Sequence, residues 1–487
     1  VTPTRRDTAA TVSADLTGVF DGVGRVLVPG IDDVARFEEP ARGEPGRAAL
    51  VVQPATVDEV RAVVSRAHRY TVRLLPQGAN TGLIGASVPP ADPPTVVLST
   101  DLLHGPAEID PDAATATVTA GTRLSELNER AAAHGLQLPI DLAADPAIGG
   151  MIATNTGGSR VLRYGPMRRY VLGVELVAAD QDASLCGQLS RLRKDSRGLD
   201  PVHVAVGSGG TLGVITRAVV SLVPLPQSLQ TWWLAVDDPA RVIELLTMFE
   251  QRRRGAVSAF EFVSRPAYER TVATPGTPAN PFGITIPSGA VLAEWSLDHD
   301  EVANVEADID AAFAAGLISD GRLVDPKTAW TLRHAVTESL RTYGVVVGHD
   351  VSVPRSTLMR VRQAAIDSIA ELAPHAVVCD FGHAGDGGLH VNVLFPREGG
   401  SPDAELRAAI RNRVDELVAA HGGSYSAEHG LGPLNADRWL ATTPPIEQQL
   451  VAGIKAVVDP RRILGHPGHP YNRLNQRSGL VREAPSS

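Results

Sequence analysis

Three histidines, a glutamate and an asparagine crowd into one part of the chain. His383, His390 and Asn392 lie in FGHAGDGGLHVNV (381–393), and Glu428-His429 lie in SAEHGLG (426–432). Apolar runs at 376–381 and 389–395 flank the turn Ala384-Gly385-Asp386-Gly387-Gly388, which is β-hairpin chemistry. Residues seven apart on one straight strand would face opposite sides; a hairpin instead lets the His383 and His390 imidazoles meet across it. Asn392 shares the His390 face, whereas Val391, Val393 and Phe395 point the other way. A polar row backed by an apolar row predicts a site floor resting on a core. Two imidazoles and a carboxylate are a donor set for a divalent metal with a position left open for substrate. The competing reading is that these histidines are hairpin polars bonded to backbone.

A second kind of chemistry is carried by small residues. Pro76-Gln-Gly-Ala-Asn-Thr-Gly82 runs on through Gly85-Ala86-Ser87, and 148–158 reads IGGMIATNTGG. A third segment, 207–213, reads GSGGTLG. Converging backbone N–H groups in such loops bind a diphosphate. The first loop follows a strand but leads into no helix and lacks G-x-G-x-x-G, so a Rossmann NAD site is not indicated. Three such segments suit a long ligand lying against several loops, and FAD is one.

The elements that must position these groups follow from pattern. Ala48–Gln53 reads as a strand, Thr56 caps a helix from Val57 to about Arg69, and Val72–Leu75 is a second strand. Strands at 95–99 and 114–120, a helix from Ser125 to about His134 and a strand at Val171–Ala179 complete a first unit that ends at Pro224-Leu-Pro226. The middle reads as strands Trp232–Val236, Val257–Phe262 and Val291–Leu297 with helices Glu301–Ala315, Pro326–Arg341 and Pro354–Leu372. A helix at Pro444–Val458 precedes a Pro/Gly-rich tail. These patterns predict an α+β cap with a mostly antiparallel sheet.

At 487 residues the chain exceeds one core. A net charge of −10 argues against nucleic acid. No apolar run is long enough to span a bilayer, so an integral membrane protein is not expected. The N-terminus lacks an apolar signal core, which gives the expectation of a cytoplasmic protein. Cys186 and Cys379 are the only cysteines; a disulfide scaffold and a resident iron–sulfur cluster are both excluded. Arginine carries nearly all the cations, because Lys194, Lys327 and Lys455 are the only lysines.

Taken together these segments resemble the FAD-linked oxidases of the vanillyl-alcohol oxidase superfamily, which have a PCMH-type FAD domain. The D-lactate and D-2-hydroxyglutarate dehydrogenase branch fits best. The motifs are LLPQGANTGLIGASVP (74–89), IGGMIATNTGG (148–158), RYGPMRRYVLGVELVAAD (163–180), LRKDSRGLD (192–200), VGSGGTLGVIT (206–216), WTLRHAVTESL (330–340), HDVSVP (349–354), FGHAGDGGLHVNV, SAEHGLG and IKAVVDPRRIL (454–464). They run through nearly the whole chain in the family's order.

The resemblance implies a two-subdomain FAD-binding domain over 1–227, a substrate domain over 228–425 and a C-terminal return over 426–487. The flavin would lie on Pro76, Gln77, Gly78, Ala79, Asn80, Thr81 and Gly82. Further contacts would come from Gly85, Ala86 and Ser87, from Gly149, Gly150, Ala153, Thr154, Asn155, Gly157 and Gly158, and from Gly213 and Ile215. Asn80 stands where relatives with covalent flavin carry His, so FAD is expected to be non-covalent. His383, His390 and Glu428 match positions that hold a metal, usually zinc, and His429 matches the base. Arg333 and Thr337 match residues that hold the substrate carboxylate; four apart on a helix, they share a face. Asn392 joins them as a substrate contact. The implied reaction oxidises a D-2-hydroxy acid to the 2-oxo acid and passes electrons to an external acceptor such as electron-transfer flavoprotein or a quinone.

Three positions depart from the family. Gly348 stands where relatives carry the Lys that binds a distal carboxylate, and His349 is the expected partial substitute. Gly388 replaces an Asn, and Asn435 replaces a Lys. These changes leave the hydroxy acid open, with a monocarboxylate or a bulkier substrate standing beside 2-hydroxyglutarate. They also motivate an alternative, a flavin-binding protein of this family with altered substrate or lost turnover. A metallohydrolase built on the same His/Glu cluster is the other rival, and it leaves the three flavin-type segments unexplained.

Overall fold

The computed structural model describes residues 16–297 and 302–474. The start of the polar N-terminal stretch, the Glu301 helix start and the end of the tail lie outside the described residues.

Two larger sheets and one large core build the first part of the chain. The first sheet places Leu50–Gln53, Val96–Ser99 and Leu74–Gln77 parallel, with Arg25–Leu27 antiparallel at its edge. The helix Val57–Tyr70 makes the crossover between two of these strands. Thr56 Oγ1 accepts the Glu59 N–H at 3.1 Å, and Asp58 and Glu59 complement the positive end of the helix. Thr71, in left-handed conformation, ends it. Its apolar face, Val60, Val63, Val64 and Ala67, is fully buried, each valine contributing roughly 1.5 kcal/mol or more. The second sheet is antiparallel and five-stranded, in the spatial order Glu108–Asp110, Thr115–Thr119, Val214–Ser221, Val171–Val177 and Leu185–Gln188. The stretch 148–158 is not all loop: Ile148–Thr154 forms a short helix. Ile148, Met151 and Ile152 anchor it in the core.

The remainder is organised by an eight-stranded antiparallel sheet. Alternation splits its side chains between two cores. Val291, Ala293 and Trp295 enter one with the helices Val242–Arg252, Val302–Ala314, Leu358–Leu372 and Ala404–Ala420. Ala290 and Leu292 enter the other, under Arg265–Ala273 and Pro326–Tyr343. The helix Arg265–Ala273 and the edge strand Asp320–Val324 were not anticipated. Both are short, with weak periodicity, and pairing with Ser228–Val236 is what holds the strand.

The C-terminal segment returns to the first core. Leu464 bridges to Leu74 in parallel register. Lys455, fully buried, donates to the carbonyls of Thr211 and Leu464 and pairs with Asp459 at 2.5 Å. This one lysine ties the helix Pro445–Val458 to the loop that follows 207.

Candidate functional site

Two adjoining cavities meet at Glu428 and His429. The larger, about 460 Å³, is walled by the three small-residue segments. The smaller, about 310 Å³, is walled by the helix Pro326–Tyr343, the strand Gly344–Ser352 and the His383–His390 hairpin.

The larger cavity fits a long ligand with a diphosphate. None of the backbone N–H groups from Gly78 to Gly82 donates to another described residue, and all five residues border the cavity, so donors are left for a ligand there. Two glycines show why small residues are required. A Cβ at Gly149 would sit 2.7 Å from that of Ala120. Gly158 has φ +89°, and a Cβ there would lie 2.3 Å from the Asp141 carbonyl oxygen. Asn80 offers its side chain inward, donating to the Glu39 carbonyl at 2.8 Å and accepting from Ser87 Oγ at 2.8 Å.

Of the residues expected to hold flavin, Pro76 to Gly82, Ala86, Ser87, Gly149, Gly150, Ala153, Thr154, Gly157, Gly158, Gly213 and Ile215 border this cavity. Gly85 and Asn155 do not. Gly85 turns the chain at φ +71°, and Asn155 caps the short helix while its Oδ1 accepts the Arg168 N–H. The wall at Leu142, Ala143, Pro146 and Ala147 was missed; a proline among small residues after a strand was its only signal.

In the smaller cavity the hairpin forms largely as expected. Strands Phe381–Gly382 and Gly388–Pro396 pair, and the His383 and His390 rings lie 5.4 Å apart between centroids. Glu428 stands between them. Its Oε2 is 3.3 Å from His383 Nε2, and its Oε1 is 3.4 Å from His390 Nε2. Both separations exceed the usual N–H···O range, which suits lone pairs gathered round a cation.

Two carboxylates that the sequence did not single out hold this cluster. Glu261, fully buried on the strand Val257–Ser264, faces His383 Nδ1 at 2.6 Å. The same carboxylate accepts Arg333 Nε at 2.9 Å and Nη2 at 2.6 Å. Burial works against its charge, yet His383 and Arg333 hold its pKa down at about 2. This fixes a proton on His383 Nδ1 and leaves the Nε2 lone pair for a metal. Burial opposes the His383 charge, but Glu261 and Glu428 outweigh it and raise its pKa well above the usual imidazole range; a cation bound at Nε2 would displace that proton.

Asp350 is the second carboxylate. Its Oδ2 accepts the N–H groups of Glu428 at 3.0 Å and His429 at 2.9 Å, so the loop carrying both is clamped. Its Oδ1 is buried with no hydrogen-bond partner, 3.7 Å from His390 Nδ1. Ligand atoms of Asp350, His390, Glu428 and His429 also lie within 4.8 Å of one another. An orphaned carboxylate oxygen, a convergent carboxylate and clustered imidazoles together fit a divalent cation.

Other expected residues distribute unevenly. Arg333 lies over the Phe381 ring at 4.7 Å, turns Nε and Nη2 to Glu261 and borders the cavity. Thr337 borders the cavity one turn on and is exposed. Asn392 is buried in the floor, as its register opposite Gly348 requires. His349 is a correction. It borders the cavity, but strand alternation sends its imidazole to the far face with Val347, Val351 and Val391, toward the helix Ala404–Ala420. Burial, with Arg438, Arg411 and Arg42 nearby, lowers its pKa to about 3, so it is a neutral core group and no carboxylate receptor. Asn435, where a lysine was expected, bonds to the Gly430 carbonyl and accepts the Gly432 N–H, closing the EHG-x-G turn.

Comparison with known proteins agrees with this geometry. The family model "FAD binding domain" matches residues 48–184, and "FAD linked oxidases, C-terminal domain" matches 225–468. The chain is 33% identical to D-2-hydroxyglutarate dehydrogenase, mitochondrial, of Bos taurus, over 97% of this chain and 86% of that protein. It is 34% identical to D-2-hydroxyglutarate dehydrogenase of Xanthomonas citri pv. viticola, over 88% of this chain and 90% of that one. The fold superposes on p-cresol methylhydroxylase with a TM-score of 0.71 at 15% identity, covering 95% of this chain and 96% of that one. On alkyldihydroxyacetonephosphate synthase the TM-score is 0.65 at 16% identity, covering 86% and 76%. With three small-residue segments lining one long cavity, a cap domain on an antiparallel sheet and relatives that match it nearly end to end, the chain belongs to the FAD-linked oxidase family, alongside the D-2-hydroxyglutarate dehydrogenases.

Proposed function

We propose that the protein is an FAD-dependent dehydrogenase that oxidises a D-2-hydroxy acid to the 2-oxo acid. The observation that carries this reading is the placement of Glu428 and His429 on the shared wall of the two cavities. A proton acceptor is thereby set where a substrate in the smaller cavity would face a flavin ring in the larger.

Bound FAD, held non-covalently, supplies the acceptor for the hydride leaving substrate C2. A divalent metal, zinc by family resemblance, supplies a Lewis acid that lowers the substrate hydroxyl pKa. His383, His390 and Glu428 would hold that metal. His429 acts as general base: its Nδ1 faces Asp350 Oδ2 at 3.4 Å, which leaves Nε2 to take the hydroxyl proton. Asp350 then stabilises the imidazolium and keeps the loop in place. Arg333, anchored by Glu261, and Thr337 receive the substrate 1-carboxylate, and Asn392 completes the floor. Electrons leave to an external acceptor, because two distant cysteines cannot hold a cluster. No described helix is long and apolar enough to cross a membrane.

Anaerobic flavin bleaching of metal-replete holoprotein by a panel of D- and L-2-hydroxy acids tests this. Bleaching by D-isomers alone is expected, with the flavin released on denaturation. A yellow, metal-loaded protein that none of them bleaches would overturn the dehydrogenase reading in favour of lost turnover.

A further inference from the structure

Gly348 leaves a gap in the cavity wall, and another residue fills it. A Cβ built on Gly348 would meet Arg42 Nη2 at 3.0 Å, Nη1 at 3.7 Å and Asn392 Oδ1 at 2.9 Å. A longer side chain at 348 would have to displace the Arg42 guanidinium from that space. Arg42 comes from a different part of the chain, a loop after the short helix Ala35–Glu38. The base of this loop is tied: Gly46 N–H donates to the Glu38 carbonyl and Ala48 N–H to Glu38 Oε1. Asn80 holds the Glu39 carbonyl.

Arg42 has no hydrogen bond or ion pair with any described residue. It borders the substrate cavity together with Arg341, whose own Nη1 is engaged by Glu338 at 2.6 Å. Both arginines are exposed at the cavity mouth; partial desolvation and then the nearby Arg341 lower the Arg42 pKa, and Asp350 works the other way. Arg341 thus has its counter-ion in Glu338, whereas Arg42 has none in direct contact; an anionic group of a ligand in this cavity would supply one.

Resting on the 2-hydroxy-acid reading above, we propose that Arg42, with Arg341, is the seat for a second anionic group, so that the substrate is a 2-hydroxy acid with a distal carboxylate. Gly348 opposes Asn392 and Asp350 opposes His390 in register. The seat is therefore two residues along the strands from the metal-binding histidine, roughly 6.7 Å. That is the reach of a short diacid and leaves the far end of a monoacid facing a bare guanidinium. Gly348 thus moves the distal cation from the strand to the loop, and the pocket keeps its charge.

The test is equilibrium binding of 2-oxoglutarate and 2-oxovalerate to the oxidised, metal-replete holoprotein, alongside flavin reduction by the corresponding D-2-hydroxy acids. Wild type should bind the diacid at least ten-fold more tightly. Arg42→Gln should weaken diacid binding roughly 10- to 100-fold more than monoacid binding. Adding Gly348→Lys to that variant should restore most of the preference, since the vacated space then receives an ammonium. Equal weakening of both acids, or a wild type without preference, overturns the proposal. Diacid preference without flavin reduction by any hydroxy acid would keep the anion seat and sink the dehydrogenase reading; reduction without preference would do the reverse.

Discussion

Glu261→Gln separates proton placement from packing. Glutamine keeps the shape and can still accept from Arg333, whose side chain is 7% exposed against 1% for Glu261. Opposite His383 Nδ1, however, a carboxylate oxygen at 2.6 Å can become an amide donor. His383 must then carry its proton on Nε2, and the lone pair aimed at the metal is lost. Altered outer contacts of this kind cost 10- to 100-fold in metal affinity, or about 1.4–2.7 kcal/mol. If the amide turns its oxygen to His383 instead, its NH₂ faces the Arg333 guanidinium. That outcome leaves a buried cation unpaired and costs stability, up to about 3–5 kcal/mol. The variant therefore shows weakened metal binding or a marked loss of stability, and the two are separable. Metal retained after dialysis against buffered chelator reads the first, and urea unfolding with metal-free protein reads the second. Flavin content is the control, because Glu261 does not border the flavin cavity. A Glu261→Gln protein with wild-type metal affinity and wild-type stability would refute the assignment of Glu261 as the residue that sets the His383 tautomer.

His429→Asn is expected to lower the rate of flavin reduction by about 10²–10⁴ with flavin and metal content retained; near-full activity would remove it as the base. Acid stability provides a further check. His469 is fully buried and its pKa is depressed to about 3 by burial, with Lys455 and His466 adding to the effect. Its folded pKa lies below the unfolded value near 6.5, so the unfolded chain takes up the proton first and stability falls as pH drops from 6.5 toward 3. Between pH 6.5 and 5.0 this amounts to about 2 kcal/mol. His469→Asn should flatten the decline by that amount in urea titrations at the two pH values, and an unchanged slope would show that His469 is already protonated in the fold.

Most of the architecture was legible from local pattern. The Thr56-capped helix, the hairpin around Gly385 and the alternation that puts His390 and Asn392 on one face need only period, turn chemistry and capping, and these act over a few residues. The family motifs added the flavin walls and the order of the domains' segments. Glu261, Asp350 and Arg42 were beyond such reasoning. Each is an ordinary charged residue in its own neighbourhood, and each acquires meaning from a partner far along the chain: His383 for Glu261, the Glu428–His429 amides for Asp350, the empty side-chain position of Gly348 for Arg42. His349 failed for a related reason. Next to a missing lysine in sequence it looked like a replacement, but one step along a strand reverses the face, and the replacement came from a loop some three hundred residues earlier. Spacing along a chain decides which side chains share a face; strand register and the packing of remote loops decide which charges meet, because Coulombic and hydrogen-bond partners are chosen by distance in space.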